Sequence, residues 1–200
     1  MLKIGITGNI GSGKTTICRI FEHLGIDVYY SDVKAKQFYN NHAVKQKIEF
    51  IFGKDIFTPK QTVDFKKLAD IVFNDAQKLA SLNTVLHPLV IEDFLLWHQQ
   101  RQNKNYVLLE SAILFQCGFA HLFDKIIFVD APLDILFQRC MQRDNANAEA
   151  IKSRIEKQQK NYEKQSTADF IICNNEKESL IEQVFRIHSV LNTTSQTKSL

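Results

Sequence analysis

A glycine-rich segment near the start of the chain constrains the fold more than any other feature. It reads Gly8-Asn9-Ile10-Gly11-Ser12-Gly13-Lys14-Thr15 and matches the pattern G-x-x-x-x-G-K-[ST] at every fixed position. It follows strand-like residues 2–7 and opens an amphipathic helical pattern over residues 14–24. In that strand–loop–helix context the pattern is typical of a loop that binds the phosphates of a nucleotide. The alternative interpretation is a glycine-rich turn without a ligand.

Each residue type in this loop has a chemical role. Glycines let backbone N–H groups turn inward into a nest for phosphate oxygens, along a path that a Cβ atom would obstruct. The N-terminus of the following helix adds free donors and a partial positive charge. Lys14 is predicted to reach the β- and γ-phosphates, and the Thr15 hydroxyl to ligate Mg²⁺. The predicted triphosphate ligands are Gly11, Ser12, Gly13, Lys14, Thr15 and Thr16.

Short apolar segments rich in β-branched residues alternate with longer helical patterns, which predicts βαβ units around a parallel sheet. The predicted strands cover residues 2–7, 27–30, 106–110, 125–130 and 169–173. Helices are predicted over residues 14–24 and 133–143, and from residue 176 to about residue 191. The patterns together predict an α/β fold of the P-loop NTPase type, with three layers, a five-stranded parallel sheet, a helical substrate insertion and a lid.

A chain of 200 residues has room for one domain with a small inserted subdomain. We expect the domain to span residues 1–192, with its core in residues 1–30, 106–144 and 166–192. The acceptor-substrate insertion is predicted over residues 31–105, beside the sheet edge where open α/β folds bind ligands. Pro88 within it is predicted to kink a helix or to begin a new one. The polar residues 193–200 are predicted to form a disordered tail.

Residues 145–165 are rich in charged and amide side chains and form the predicted lid. Ile151, Arg154, Ile155 and Gln158 fall on one helical face. Arg154 is therefore expected among inward-facing residues, where an arginine needs an anionic partner. The alternative interpretation is an ordinary solvated helix.

Composition excludes several classes of function. The chain has 25 Lys and Arg against 22 Asp and Glu, a net charge of +3, which suits small anionic ligands and is too weak to predict nucleic-acid binding. Its purely apolar runs cover about four residues, against the ~20 that span a bilayer, and its strand-like start leaves no room for a signal peptide. We therefore expect a cytoplasmic protein that acts on small molecules and not on membranes or nucleic acid. A monomer or weak homo-oligomer is the expectation for its assembly.

The cysteines lack the close spacing of a metal or redox motif. They are Cys18, Cys117, Cys140 and Cys173. Buried thiols in a reducing compartment are the expectation.

The phosphate loop does not say what becomes of the γ-phosphate. The guanine-reading N-K-x-D segment of a GTPase is absent, since Asn174-Asn175-Glu176-Lys177 has the wrong order. A mechanical ATPase would usually be larger and carry an aspartate after a hydrophobic strand, where Glu110 is the nearest candidate. A small chain with an insertion and a basic lid favours a small-molecule kinase.

Asp32 follows the second predicted strand, at the sheet edge that carries the phosphate loop. A carboxylate there can accept the proton of an attacking hydroxyl as the γ-phosphoryl group leaves ATP. The alternative is that Ser31 or Asp32 caps a helix starting near Val33. Position alone does not decide between the two.

Several motifs together resemble the dephospho-CoA kinase family, in order and spacing from residue 3 to about residue 175. They are the loop from Thr7 to Thr16, Ser31-Asp32 with Ala35 and Gln37, Leu86-His87-Pro88-Leu89, Arg139-Cys140-Met141-Gln142-Arg143-Asp144, Arg154 with Gln158, and Ala168-Asp169 leading to Asn174. The loop alone is generic, whereas the combination is much more specific.

The resemblance implies ATP- and Mg²⁺-dependent phosphorylation of the ribose 3′-hydroxyl of dephospho-CoA, the last step of coenzyme A biosynthesis. It implies Asp32 as general base, with Lys14 and Arg143 as the other catalytic residues. Further ATP ligands are then Arg139, Arg143 and Asn174, the last near the adenine. The acceptor ligands are then Asp32, His87, Leu114, Phe115 and Arg154, and Mg²⁺ is held by Thr15, with Glu110 as a second candidate.

Some of these roles have structural alternatives, and some positions depart from the family. Exposed charge is the alternative for Arg139 and Arg143, and helix capping or packing is the alternative for His87. The departures are Ala112 in place of proline, Gln116 in place of glutamate, Glu110 in place of aspartate and Glu176 in place of glycine. The rival functions are a kinase of another small acceptor, such as a nucleoside monophosphate or shikimate, and a non-catalytic nucleotide-binding regulator.

Overall fold

The computed structural model describes residues 1–101, 103–115, 118–144, 148–159 and 166–197. The chain divides into two compact units. The first unit consists of Met1–Tyr30 and His98–Leu200, and the second of Ser31–Trp97. The predicted insertion of residues 31–105 is thus longer than the second unit, since His98 and the residues after it belong to the first.

The first unit is built on a sheet of five parallel strands. The strands are β1 (Leu2–Gly8), β2 (Val28–Tyr30), β3 (Tyr106–Glu110), β4 (Lys125–Asp130) and β5 (Phe170–Cys173). Their order is β2-β3-β1-β4-β5, and every neighbouring pair is parallel. The predicted α/β fold with a five-stranded parallel sheet is confirmed.

The helices lie close to the predicted positions. In chain order they are α1 (Lys14–His23), α2 (Ser31–Phe38), α3 (His42–Phe52), α4 (Phe65–Asn74), α5 (Ala76–Gln99), α6 (Leu133–Asp144), α7 (Ala148–Gln159) and α8 (Leu180–Thr197). Short 3₁₀ helices cover Lys54–Ile56 and Phe119–Leu122. Helix α1 ends next to Gly25, whose φ of 79° is left-handed, a conformation that is common just after a helix C-terminus.

The main core of the first unit lies between the sheet and helices α1 and α8. Alternate strand residues point into it, as the period of two in a strand requires. Its buried members include Ile4, Ile6, Ile17, Phe21, Leu108, Ile127, Val129, Ile172, Val184 and Leu191. This packing holds the carboxyl end of β1 and the start of α1 in place, which fixes both ends of the phosphate loop.

Helices α6 and α7 share a smaller apolar cluster. Ile151 and Ile155 of α7 pack with Leu136 and Cys140 of α6 and with Ala131. The apolar face predicted for the lid is therefore buried. The rest of the predicted lid, residues 145–147 and 160–165, and the side chain of Gln158 lie outside the described residues.

The second unit has its own apolar core. Its buried residues are Tyr39, Val44, Ile48, Ile56, Val63, Leu68, Leu82 and Leu86. Two of its helices begin at side-chain caps: Asn41 Oδ1 accepts from the Ala43 N–H at 2.9 Å, and Asp64 Oδ1 accepts from Lys66 N–H at 3.0 Å. Such caps satisfy backbone donors that a helix leaves free at its first turn.

Pro88 does not begin a new helix, because α5 runs through it from Ala76 to Gln99. Proline at this position removes the donor that would bond to the Thr84 carbonyl oxygen. Thr84 and Pro88 both lie on the exposed side of α5, so that water can satisfy the freed carbonyl group. The helix therefore tolerates the proline.

The C-terminal helix differs from the prediction at both ends. Asn175 Oδ1 accepts from the N–H groups of Lys177 and Glu178 at 3.0 and 3.1 Å, which forms a turn where a helix start was expected. Residues 193–197 are helical, not disordered. The hydroxyls of Thr193 and Thr194 donate to carbonyl oxygens one turn earlier, each at 2.9 Å. The last part of the predicted tail, residues 198–200, lies outside the described residues.

One described helix, α5, is long and apolar enough to cross a bilayer by length and composition. The core helix of a soluble protein passes the same test. Leu82 and Leu86 of this helix belong to the apolar core of the second unit, and 22% of the apolar window is buried.

Edge strand β5 offers a matched pair of isoleucines for a test of the core. Ile172 is 0% exposed and belongs to the main core, whereas its neighbour Ile171 is 45% exposed. Ile172→Ala is expected to lower the free energy of unfolding by about 2–5 kcal/mol, because it removes buried methyl groups and leaves a cavity. Ile171→Ala is expected to cost about 1 kcal/mol or less. Urea denaturation measures both, and equal losses would contradict the assignment of the core face.

Candidate functional site

The loop between β1 and α1 has the shape of an anion-binding nest. Gly11 and Gly13 are left-handed, with φ of 78° and 91°. Between them, the N–H of Ser12 donates to the Asn9 carbonyl oxygen at 3.1 Å. Left-handed residues in such a loop turn successive N–H groups into one concavity. Because α1 begins at Lys14, its free N-terminal donors join the same concavity.

Two glycines of the loop are in close contact with the rest of the first unit. A Cβ atom at Gly13 would overlap Asn174 Nδ2, and one at Gly11 would lie 2.9 Å from Cys140 Sγ and from the Leu136 carbonyl oxygen. Any larger residue would therefore be excluded by sterics as well as by backbone strain. The loop conformation requires glycine at both positions.

Lys14 is held along the loop backbone. The residue is only 8% exposed. Its Nζ donates to the carbonyl oxygens of Gly8 and Asn9, each at 3.0 Å. An ammonium group this buried is stabilised by an anion. The lysine is thus positioned at the loop, where the sequence predicts it.

The predicted magnesium ligands lie in the first turn of α1 and at the end of β3. Thr15 and Thr16 are exposed in the first turn of α1. Glu110 is 7% exposed, ends β3 and pairs in register with Ile6 of β1. One hydroxyl and one carboxylate suit Mg²⁺, which takes few protein ligands beside phosphate and water oxygens. Among the described residues no three His, Cys, Asp or Glu side chains form a metal cluster.

Arg139 of α6 reaches the phosphate loop. Its Nη1 donates to the Gly11 carbonyl oxygen at 3.5 Å. Its Nη2 donates to Asn174 Oδ1 at 3.1 Å and to Glu176 Oε1 at 3.0 Å. Arg143 lies one turn further along α6 and is exposed. The alternative of plain exposed charge is therefore excluded for Arg139 by these contacts.

Asn174 lies between the phosphate loop and Arg139. Its backbone N–H donates to the Asp130 carbonyl oxygen at 2.7 Å, and its side-chain Nδ2 donates to the Ser12 carbonyl oxygen at 2.8 Å. The residue is 6% exposed. It is in contact with the loop backbone and with Arg139.

A cavity of about 470 Å³ opens at the carboxyl ends of β4 and β5. It is lined by Asp130, Ala131, Pro132, Leu133, Cys173, Asn174 and Asn175. Its lining is mostly apolar with a few polar groups, as in small-molecule sites. Through Asn174 the cavity adjoins the phosphate loop.

The described cysteines are free thiols. Cys18 and Cys140 are buried, and Cys173 is half-buried. Burial raises the pKa of the Cys18 thiol, the charges of Glu110 and Glu22 raise it further, and Lys14 lowers it. Burial, Glu178 and Asp130 raise the pKa of the Cys173 thiol. The thiols of Cys18 and Cys173, whose pKa values are raised, are neutral near pH 7 and are poor nucleophiles. Cys117 lies outside the described residues.

The second unit contains two of the predicted site residues. Helix α2 begins at Ser31, so that Asp32 lies inside the first turn and is exposed. His87 is half-buried in the middle of α5, not at a helix end, and burial lowers the pKa of its imidazole. It is neutral at pH 7.

The remaining predicted acceptor ligands are in the first unit. Leu114 and Phe115 are 2% and 7% exposed, and Leu114 packs against Gly5 of β1, where a Cβ atom would lie 2.5 Å from Leu114 Cδ1. Arg154 is half-buried on α7, between the buried Ile151 and Ile155. Gln116, which replaces a family glutamate, lies outside the described residues.

Two residues of this site were not among the predicted ligands. Glu176 forms an ion pair with Arg139, and its φ of 62° is unusual for a residue other than glycine. The sequence offered one signal for Glu176, which is that it replaces a glycine of the family. Asp130 lines the cavity, and its position at the end of a predicted strand was the signal for it.

Comparisons with known proteins identify the family of the chain. A family model described as dephospho-CoA kinase matches residues 2–179. The dephospho-CoA kinase of Porphyromonas gingivalis is 37% identical over 196 residues, which is 96% of this chain and 96% of the relative. The dephospho-CoA kinase of Bacteroides fragilis is 34% identical over 191 residues, 95% of this chain and 93% of the relative.

Solved structures lead to the same group. A dephospho-CoA kinase from Campylobacter jejuni matches with a TM-score of 0.69 and 25% identity, covering 96% of this chain and 98% of that one. A shikimate kinase from Acinetobacter baumannii matches with a TM-score of 0.58 at 16% identity, covering 97% of this chain and 94% of that one, and shares the fold alone. With a family model over most of its length and full-length relatives above 30% identity, the chain belongs to the dephospho-CoA kinase family.

Proposed function

We propose that the protein transfers the γ-phosphoryl group of ATP to the ribose 3′-hydroxyl of dephospho-CoA and forms coenzyme A and ADP. Family membership supports this acceptor. The observation that carries the proposal is the loop from Gly8 to Thr15, where two left-handed glycines and the buried Lys14 form a site for a nucleotide's phosphates. A soluble cytoplasmic enzyme, active as a monomer or weak homo-oligomer, accords with this role.

The reaction is an in-line displacement at the γ-phosphorus. The 3′-oxygen forms the new P–O bond, the bond to the β,γ-bridging oxygen breaks, and its electron pair leaves with ADP. The loop N–H groups, Lys14, Arg139 and Arg143 neutralise the charge on the phosphates. Thr16 adds a contact to the α-phosphate, and the cavity beside Asn174 accommodates the base.

Thr15 and Glu110 are the residues that would hold Mg²⁺. When bound, the ion supplies positive charge to the β- and γ-phosphate oxygens. Glu110 is buried at the end of β3, and the pairing of β3 with β1 fixes the position of its backbone.

Asp32 is the proposed general base. Its carboxylate accepts the proton of the 3′-hydroxyl as the new P–O bond forms. Its exposure in the first turn of α2 supports this role, because an exposed carboxylate is accessible to a substrate hydroxyl. His87, Leu114, Phe115 and Arg154 are the further acceptor ligands, and α7 with its flanking residues is the lid that excludes water.

An acceptor panel tests the reaction. The purified protein with Mg·ATP is expected to form ADP in equal amount with product only when dephospho-CoA is present, and Lys14→Ala is expected to abolish that turnover. Coupled assays measure ADP, with nucleoside monophosphates and shikimate as alternative acceptors. Turnover with one of these alone would identify another kinase, and ATP binding without turnover would identify a regulator.

Gly13→Ala tests the nest, with Gly25→Ala as its matched control. Both glycines are left-handed, but a Cβ atom would overlap Asn174 at Gly13 and meets nothing within 4 Å at Gly25. Gly13→Ala is expected to lower kcat/KM on the order of 10²-fold, because it displaces the loop. Gly25→Ala is expected to cost only about 1–2 kcal/mol of stability. Steady-state kinetics and thermal denaturation separate the effects; full activity of Gly13→Ala would refute the assignment.

Asp32→Asn tests the general base. We expect kcat to fall by roughly 10²–10⁴-fold with ATP affinity nearly unchanged, since the amide keeps the size of the carboxylate but cannot accept the proton. Asp70→Asn makes the same change at an exposed residue of α4 and is expected to retain wild-type kcat. Initial rates at varied ATP concentration give kcat and the KM for ATP. A kcat within a few-fold of the wild type would remove Asp32 from the catalytic set.

A further inference from the structure

The side-chain amide of Asn174 joins two parts of the nucleotide site that are distant in sequence. Its Nδ2 donates to the Ser12 carbonyl oxygen at 2.8 Å, on the phosphate loop. Its Oδ1 accepts from Arg139 Nη2 at 3.1 Å, on helix α6. An amide has separate donor and acceptor ends. Asn174, which follows β5, thus bonds to the phosphate loop through its Nδ2 and to the Arg139 guanidinium through its Oδ1.

The surroundings hold this amide in one orientation. Asn174 is 6% exposed, and its backbone N–H is bonded to the Asp130 carbonyl oxygen at 2.7 Å. Nδ2 lies so close to Gly13 that a Cβ atom there would overlap it. Rotating the amide by half a turn would face two carbonyl oxygens toward each other and two donors toward each other. The observed orientation is therefore the one in which both ends of the amide find a partner.

Arg139 is held from several sides by acceptors. Besides Asn174 Oδ1, its guanidinium donates to Glu176 Oε1 at 3.0 Å and to the Gly11 carbonyl oxygen at 3.5 Å. Glu176 keeps a left-handed backbone, with φ of 62°, at the position from which its carboxylate reaches Arg139. A planar guanidinium with fixed partners keeps its other N–H groups in a fixed direction.

We propose that Asn174 is a positioning residue, which sets the distance between the phosphate-loop donors and the Arg139 guanidinium before the nucleotide binds. The inference rests on the proposed function, since it assumes a nucleotide at this loop. It assigns to Asn174 an effect on the phosphates, whereas sequence reasoning assigned it a contact near the adenine. Asn174 acts through Ser12 and Arg139 and does not need to touch the base.

The two roles differ in which ligands they affect. A residue that positions the loop and Arg139 changes the affinity for any ligand with the same phosphates, with or without a base. A residue that contacts adenine changes the affinity for ATP alone. Inorganic tripolyphosphate, which carries three phosphates and no nucleoside, distinguishes the two.

The experiment measures binding of Mg·ATP and of inorganic tripolyphosphate with Mg²⁺ by calorimetry. Asn174→Ala removes two hydrogen bonds and is expected to weaken both ligands equally, by about tenfold to thirtyfold. Loss of affinity for ATP alone would assign Asn174 to the base and overturn the inference. Unchanged affinity for both ligands would overturn it as well. If the wild type bound neither ligand, the proposed function would fail instead.

Further variants exclude a general loss of structure. Asn174→Ser keeps a small polar side chain at this buried position and is too short to bridge the two partners, so it is expected to follow Asn174→Ala on both ligands. Asn74→Ala makes the same change at an exposed residue of α4 and is expected to leave both affinities unchanged. Thermal denaturation of each variant reports whether it is folded.

A double-mutant cycle tests whether Asn174 acts through Arg139. In the Arg139→Ala background only the bond to Ser12 remains to be lost, so Asn174→Ala is expected to weaken tripolyphosphate by about threefold to tenfold. The same factor in both backgrounds would show that Asn174 and Arg139 act independently and would contradict the coupling.

Discussion

The phosphate loop can hold its shape only where Gly11 and Gly13 carry no side chain. Both are left-handed, which strains any other residue, and both lie against neighbouring atoms, of Cys140 and Leu136 in one case and of Asn174 in the other. The loop is thus a backbone structure pressed between α6 and the carboxyl end of β5. The core beneath it, from Ile4 on β1 to Ile17 on α1, fixes the two points where the loop begins and ends.

The two cations at the phosphate loop, Lys14 and Arg139, are both bonded to oxygen acceptors. Lys14 is almost fully buried and donates to two carbonyl oxygens of the loop, while Arg139 is bonded to carbonyl, amide and carboxylate oxygens. Burial of a cation costs free energy that neutral acceptors only partly offset. A bound phosphate would add negative charge beside both cations, where the loop N–H groups converge. The interactions that hold the loop in position therefore also favour the binding of an anion.

The local patterns of the sequence were enough to predict the strands, the phosphate loop and the apolar face of α7, because each follows from a short period or a short motif. Features that depend on distant contacts were not predictable. Glu176 reaches Arg139 on another helix, and Pro88 continues α5 because its freed carbonyl partner is on the exposed side. Thr193 and Thr194 extend α8 through hydroxyl bonds that composition alone did not reveal.

The two compact units explain why sequence signals differ in strength along the chain. The residues against which Gly11 and Gly13 pack, Leu136, Cys140 and Asn174, lie in the first unit. The loop motif is complete enough to be identified from eight consecutive residues. Asp32 and His87 lie in the second unit, on helices of ordinary composition. A single carboxylate or imidazole has no motif around it, so that only resemblance to a family could distinguish these residues. A shikimate kinase shares this fold at 16% identity, so the fold by itself does not decide which acceptor is bound.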